Sequence, residues 1–241
     1  MKPNVRSFSG VALMLVIIPI FAGLLACMPV PVGDPERSRI DPGLNGVWLL
    51  ADDDEVEGMY QFLPWDKRSW LMLGTEFEAG DEFVGELPEI ETPADYAAAL
   101  ENIPFGEDGI TARSVVLYKV WLAKIGGEKF MTWEMTGFGN EDGRIPPEYW
   151  MVFKLEKVSA NEYKLLMLNG EFDGFDDIPT RKEYEGDDYV ADHRRAFERI
   201  IKRNLDNEDL VSDEAAFALH RLPASAVEDA MSLFEEVIES E

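Results

Sequence analysis

Cysteine and histidine are scarce in this chain, and their scarcity limits the chemistry that it can perform. Cys27 is the only cysteine among 241 residues, so no intramolecular disulfide can form. His193 and His220 are the only histidines. The sequence contains no nucleophile elbow, no zinc-type histidine pair and no phosphate-binding glycine loop. We therefore expect a protein that is not an enzyme and that needs no metal and no cofactor.

Basic residues are also few. The chain holds 22 Lys and Arg against 48 Asp and Glu, which gives a formal net charge of −26. Because a nucleic-acid backbone binds basic surfaces, this balance argues against nucleic acid as a partner. Apolar residues make up 46% of the chain, which is enough for a hydrophobic core. The acidity therefore belongs to the surface of a folded protein and not to a disordered tail.

The amino terminus lacks acidic residues and has the pattern of a secretory signal. Lys2 and Arg6 precede an uncharged apolar run over residues 11–26. A membrane-spanning helix needs about 20 apolar residues, whereas this run has 16 and contains Pro19. We therefore predict that residues 1–26 are a signal peptide.

Leu24, Leu25, Ala26 and Cys27 resemble the lipobox of bacterial lipoproteins. The resemblance implies cleavage between Ala26 and Cys27, a diacylglyceryl thioether on Cys27, and acylation of the new amino group with a chain such as palmitate. Two or three acyl chains hold a protein firmly in a membrane, whereas one binds marginally. Met28 follows the cysteine where an Asp would imply retention in the inner membrane. The family's sorting pattern thus implies the outer membrane, facing the periplasm, with export to the cell surface left open.

Residues 27–43 are predicted to form the acylated cysteine and an extended tether. Four prolines in this stretch disfavour helix and favour a stiff, open backbone; they are Pro29, Pro31, Pro35 and Pro42. Such a tether would hold the folded part off the membrane.

Residues 44–180 are predicted to form an antiparallel β-domain. Short runs rich in branched and aromatic residues alternate with turn-forming residues, and a helix is inserted at 93–101. The predicted strands are 44–50, 58–63, 68–77, 81–87, 112–125, 128–136, 149–158 and 161–168. The fold class is mainly β with C-terminal helices (α+β), and the strands fit either an up-and-down barrel or a sandwich.

Gly46, Val47 and Trp48 form a Gly-X-Trp sequence at the start of this domain. It resembles the first-strand motif of lipocalins and wider calycin-type barrels, in which the tryptophan plugs the base of the barrel. The resemblance implies an eight-stranded barrel with an apolar cup for one small ligand. For the family's arginine near the end of the last strand, Arg181 is the rough counterpart, and the inserted helix departs from the family's simple meander.

Residues 181–241 are predicted to be a helical region packed on the β-domain. Apolar residues recur at helical spacing from about residue 187. The segment 209–222 is ambiguous between strand and helix, and a further helix is expected after Ser225, which can cap it.

The predicted helix near residue 195 carries the one basic concentration of the chain, with Arg195, Arg199 and Lys202 on a shared face. One interpretation is contact with anionic lipid, glycan or an acidic partner. The other, and commoner, arrangement is a solvated face that pairs with the protein's own acids.

These observations predict a membrane-anchored periplasmic lipoprotein that is not an enzyme and that binds an apolar or amphipathic small molecule in a β-barrel. The alternative is an envelope scaffolding lipoprotein that binds a protein partner through the basic face. A hydrolase built on paired carboxylates is a third hypothesis, and it would need two facing acids in a cleft.

Overall fold

The computed structural model describes residues 28–52, 55–79, 110–138, 150–179 and 188–224, together with residue 227. Eight antiparallel strands in this part of the chain form a closed up-and-down barrel. The strands are β1 (Gly46–Asp52), β2 (Glu55–Pro64), β3 (Ser69–Ala79), β4 (Ile110–Ile125), β5 (Glu128–Phe138), β6 (Trp150–Lys157), β7 (Glu162–Leu168) and β8 (Val211–Arg221). The expected mainly β, antiparallel fold is confirmed, and of the two architectures the barrel is the one adopted.

Each strand pairs with the next one along the chain, and β8 pairs with β1 to close the barrel. Trp48 lies opposite Tyr60 on one side and opposite Arg221 on the other. Because successive side chains of a strand point to opposite faces, this register places Trp48, Tyr60 and Arg221 on the inner wall. A tight turn at Gly126–Gly127 joins β4 to β5, and both glycines have positive φ.

The chain contains one described α-helix, α1 (Tyr189–Arg203), between β7 and β8. Asp188 caps it by accepting a hydrogen bond from the backbone N–H of Ala191. Phe197 and Ile201, two of its apolar residues, are buried against the outside of the barrel. Three 3-10 turns complete the described elements: Pro42–Leu44, Asp173–Phe175 and Glu208–Leu210.

The ambiguous segment 209–222 is the closing strand, which corrects the predicted domain boundary at residue 180. Strand β8 belongs to the barrel although it follows the helix, so the β-domain extends to Arg221. The predicted inserted helix at 93–101, the weak strand at 81–87 and the helix expected after Ser225 lie outside the described residues, apart from residue 227.

The amino-terminal segment does not form the free tether that its prolines predicted. Met28, Val30 and Val32 are fully buried. The backbone N–H of Met28 donates to the carbonyl of Trp150, and the carbonyl of Val32 accepts from the indole of Trp121. We call residues 28–34 the N-terminal strap, because they run across the outer faces of β6, β5 and β4.

The strap, α1 and the outer faces of β4 to β6 enclose a second apolar core outside the barrel. The backbone N–H of Gly33 donates to Glu198 of the helix at 3.0 Å, and Arg194 pairs with Asp34 at 3.4 Å. The strap is thus held by burial of apolar side chains and by polar contacts to both of its neighbours.

Candidate functional site

One end of the barrel, which we call the closed end, is plugged by the residues around the Gly-X-Trp sequence. The indole of Trp48 donates to the carbonyl of Leu44 at 2.7 Å, and Leu44 itself is fully buried in the 3-10 turn before β1. The guanidinium of Arg221 lies 4.3 Å from the centre of the Trp48 ring. Both Trp48 and Leu44 belong to the apolar cluster inside the barrel.

Arg221 also ties the closed end together by hydrogen bonds. Its guanidinium donates to the carbonyl of Asn45 at 2.7 Å and to the carbonyl of Gly43. Gly46 has φ +118°, and a Cβ there would lie 3.0 Å from the guanidinium. Glycine is therefore needed at this position both for backbone conformation and for the close approach of the arginine.

The structure thus places Gly46 and Trp48 at the base of the barrel together with an arginine that the sequence interpretation missed. Arg181, the arginine considered there, lies outside the described residues. Arg221 ends the last strand, and the signal that could have found it is the sequence Leu-His-Arg at the end of an alternating segment. It was missed because 211–221 was not assigned as a strand.

The half of the interior next to the closed end is filled by side chains. Trp48 meets Tyr163 edge to face at 5.4 Å between ring centres, and Phe62 meets Trp70 in the same way at 6.2 Å. Fully or almost fully buried aliphatic residues complete this layer: Leu155, Leu165 and Leu219. This half is a packed core, and a ligand would have to bind nearer the other end.

We call the opposite end of the barrel, where β1, β3, β5 and β7 end, the far end. Trp133 lies on the inner wall toward the far end and contacts three other rings. The ring centres are 4.6 Å away for Phe153, 5.1 Å for Tyr60 and 5.6 Å for Tyr118. Trp133 is only 3% exposed, and it forms an aromatic floor above the packed half.

Beyond this floor lies a set of interior apolar residues that are only partly buried, which we call the far-end ring. It comprises Tyr60, Val116, Met135, Met151 and Phe217. These residues come from five strands and face the interior, where they pack against the buried apolar cluster. Partly exposed apolar side chains that face the interior of a barrel are candidates for contact with an apolar molecule.

Gly74 of β3 helps to position one member of the far-end ring. A Cβ at Gly74 would lie 2.5 Å from Cε1 of Tyr60 and 3.4 Å from the ring of Tyr118. The Tyr60 ring can therefore lie flat on β3 only because residue 74 has no side chain.

The titratable residues of the described part form no group of three or more His, Cys, Asp or Glu that could hold a metal ion. Burial lowers the pKa of His220, although the charge of Glu162 acts in the opposite direction. Nor is any helix among the described residues long and apolar enough to cross a bilayer.

The predicted basic face lies on the exposed side of α1. Arg195, Arg199 and Lys202 are exposed, and within the described ranges none of them forms an ion pair with an acid. Arg199 donates to the carbonyl of Arg195, one turn earlier in the helix. Arg194, by contrast, forms an ion pair with Asp34 of the same chain.

The lipobox residues, including Ala26 and Cys27, precede the described residues. Comparison of the chain with protein-family models, with curated proteins and with solved structures found no match in any of the three.

Proposed function

We propose that this protein is a membrane-anchored envelope lipoprotein whose barrel binds one small apolar or amphipathic molecule and which performs no catalysis. The observation that carries the binding proposal is the far-end ring around the aromatic floor of Trp133. Because the closed end is plugged, the ligand of this proposal enters from the far end.

The packing of the interior limits the size of the ligand. Aromatic and leucine side chains fill the half next to the closed end. A molecule bound within the far-end ring therefore occupies a shallow cup and not the full length of the barrel. Met135, Met151 and the almost buried Met167 line this part, and flexible methionine side chains can rearrange around guests of different shape.

We also propose a distant relationship to the calycin-type barrels. It is supported by the Gly46 and Trp48 pair on the first strand and by the stacking of Arg221, from the last strand, on that tryptophan. The closed eight-strand topology agrees with it.

The proposed anchor is a lipid on Cys27, which would place the protein at the outer membrane and facing the periplasm. This proposal rests on the sequence of residues 1–27. The N-terminal strap adds a consequence: because Met28 is packed on Trp150, a lipid on the preceding residue would bring the barrel wall close to the bilayer.

Titration with the fluorescent apolar probe N-phenyl-1-naphthylamine tests the binding proposal. We expect saturable binding with one probe per chain. Met151→Gln should weaken it several-fold, because the substitution places an amide in the far-end ring. Leu63→Gln, an exposed position on β2 near the closed end, is the matched control and should leave binding unchanged. Absence of saturable binding would overturn the proposal.

Metabolic labelling with radioactive palmitate tests the anchor separately. The wild-type chain should incorporate label and fractionate with the outer membrane, and Cys27→Ser should abolish both. Label-free wild-type protein released into the periplasm would refute the anchor and leave the binding proposal standing.

The alternative function, envelope scaffolding, is favoured by the exposed basic face on α1. Because Arg195, Arg199 and Lys202 remain available to an acidic partner, the double reversal Arg195→Glu/Arg199→Glu should abolish capture of that partner from envelope extracts. Lys67→Glu/Lys124→Glu, at two exposed lysines elsewhere, is the control with the same change in charge. Equal capture by both double variants would exclude the basic face as the binding surface.

A further inference from the structure

One buried indole differs from all the others in this structure. Four have an acceptor for their N–H: Trp48 donates to Leu44, Trp70 to Asn45, Trp121 to Val32 and Trp150 to Glu134. Within the part of the chain that the structure describes, the N–H of Trp133 has no acceptor although it is fully buried. A buried donor without a partner is unfavourable, because it has lost its hydrogen bonds to water and gained none.

The rings around Trp133 hinder rotation of its indole toward another acceptor. Its ring is in contact with Phe153, Tyr60 and Tyr118, so a large rotation toward another acceptor would disrupt three aromatic contacts. The indole also borders the far-end ring, where the proposed ligand would bind.

We infer that the ligand of this barrel is a neutral molecule that carries an oxygen acceptor, such as a ketone, ester or ether, and that this oxygen accepts a hydrogen bond from the N–H of Trp133. The inference rests on the proposed ligand-binding function and specifies its ligand class. A bound acceptor would satisfy the one buried indole that lacks a partner.

The charges around the site select a neutral acceptor over a carboxylate. Arg221 lies on the inner wall, but its guanidinium is engaged at the closed end by the carbonyl of Asn45. An anion bound in the far-end ring would therefore lack this counter-charge, and it would have to approach a protein with a formal net charge of −26.

Three probes of similar size separate these possibilities: acetophenone, ethylbenzene and benzoate. Each is tested for displacement of N-phenyl-1-naphthylamine from the chain that begins at Met28, where the described fold starts. Trp133→Phe keeps an aromatic ring and removes the donor together with part of the indole ring, and the smaller ring affects apolar and acceptor probes alike. We expect this variant to weaken acetophenone about three- to tenfold, the range for one net hydrogen bond, and to leave ethylbenzene within about twofold. Benzoate should displace the probe least from the wild-type protein.

A second measurement does not depend on the variant's stability. In a proton–nitrogen correlation spectrum of the wild-type protein, one indole N–H resonance should move with acetophenone and remain in place with ethylbenzene. That resonance should be missing in Trp133→Phe.

The outcomes distinguish failure of the proposed binding function from failure of the inferred hydrogen bond. If no probe binds at all, the proposed function fails. If acetophenone and ethylbenzene both bind and Trp133→Phe affects them equally, the barrel binds apolar molecules but the inferred hydrogen bond is refuted. Tighter binding of benzoate than of acetophenone would refute the neutral ligand class.

Discussion

At the scale of single residues, Arg221 makes three contacts at the closed end through its guanidinium. It covers Trp48, and it donates to two backbone carbonyls of the segment that plugs the barrel. It therefore links the first strand to the last through side-chain contacts as well as through the backbone ladder of β1 and β8.

Arg221→Met should remove the stacked cation and both hydrogen bonds while it keeps most of the apolar stem. Because two carbonyls lose a charged donor and the Trp48 ring loses its cation, we expect the free energy of unfolding to fall by roughly 2 to 4 kcal/mol. Arg203→Met makes the same chemical change at an exposed position of α1 and should stay within about 0.5 kcal/mol. Urea unfolding followed by tryptophan fluorescence measures both, and equal effects would refute the role of Arg221.

His220, the residue before Arg221, should make the free energy of unfolding depend on pH. Its folded-state pKa lies below the ordinary value of 6.5 because the ring is largely buried. The unfolded chain then binds more protons than the folded one as the pH falls, so the free energy of unfolding decreases below about pH 6.5 and levels off under the folded pKa.

His220→Gln should flatten this decrease. Unfolding curves taken between about pH 7.5 and pH 5.5, a range around the ordinary histidine pKa, give the slope for each protein. Identical slopes for the variant and the wild type would show that His220 does not contribute to the pH dependence.

At the scale of elements, the sequence predicted most strands but misjudged the last one. β4, β5, β6 and β7 have branched and aromatic residues that favour strands, and their predicted ranges overlap the observed ones. β8 contains Ala215, Ala216 and Ala218, which favour helix, and its pairing with β7 and β1 overrides that preference. Its place in the barrel was unpredictable because it depends on partners that are distant in the chain.

The N-terminal strap was misjudged for a different reason. Its prolines correctly indicate an extended backbone, but extension alone does not distinguish a free tether from a segment packed on a sheet. The alternation of Met28, Val30 and Val32 between prolines was the available signal, since those three side chains are the buried ones.

Val30→Ala tests whether the strap stabilises the fold. Removal of two buried methyl groups, with the cavity that remains, should lower the free energy of unfolding by roughly 2 kcal/mol. Val158→Ala is the matched control, because that valine is 58% exposed in the turn between β6 and β7, and it should change stability by less than about 0.5 kcal/mol. No effect of Val30→Ala would mean that the strap behaves as a tether in solution.

At the scale of the whole molecule, the protein has two apolar cores on the two sides of one barrel wall. The inner core is packed at the closed end and only partly buried at the far end, whereas the outer core is sealed by the strap and α1. The asymmetry of the inner core is the basis of the proposed function.

The candidate site was predictable only in part. Trp48 and Gly46 could be identified from their spacing. The place of each buried tryptophan depends on the three-dimensional fold. Trp48 and Trp70 are in the packed half of the barrel, and Trp121 and Trp150 are in the outer core. Trp133 is the buried tryptophan that borders the far-end ring. No spacing rule separates Trp133 from the others, because its distinction is an unsatisfied N–H.

Native mass spectrometry of the chain from Met28 onward is the most direct test of the claim that the barrel holds a small neutral molecule. The protein is measured after periplasmic expression and again after incubation with an extract of envelope lipids. We predict one noncovalent adduct per chain, lost on denaturation and reduced in Trp133→Phe. Detection of the ligand-free mass alone, before and after incubation, would contradict the binding function.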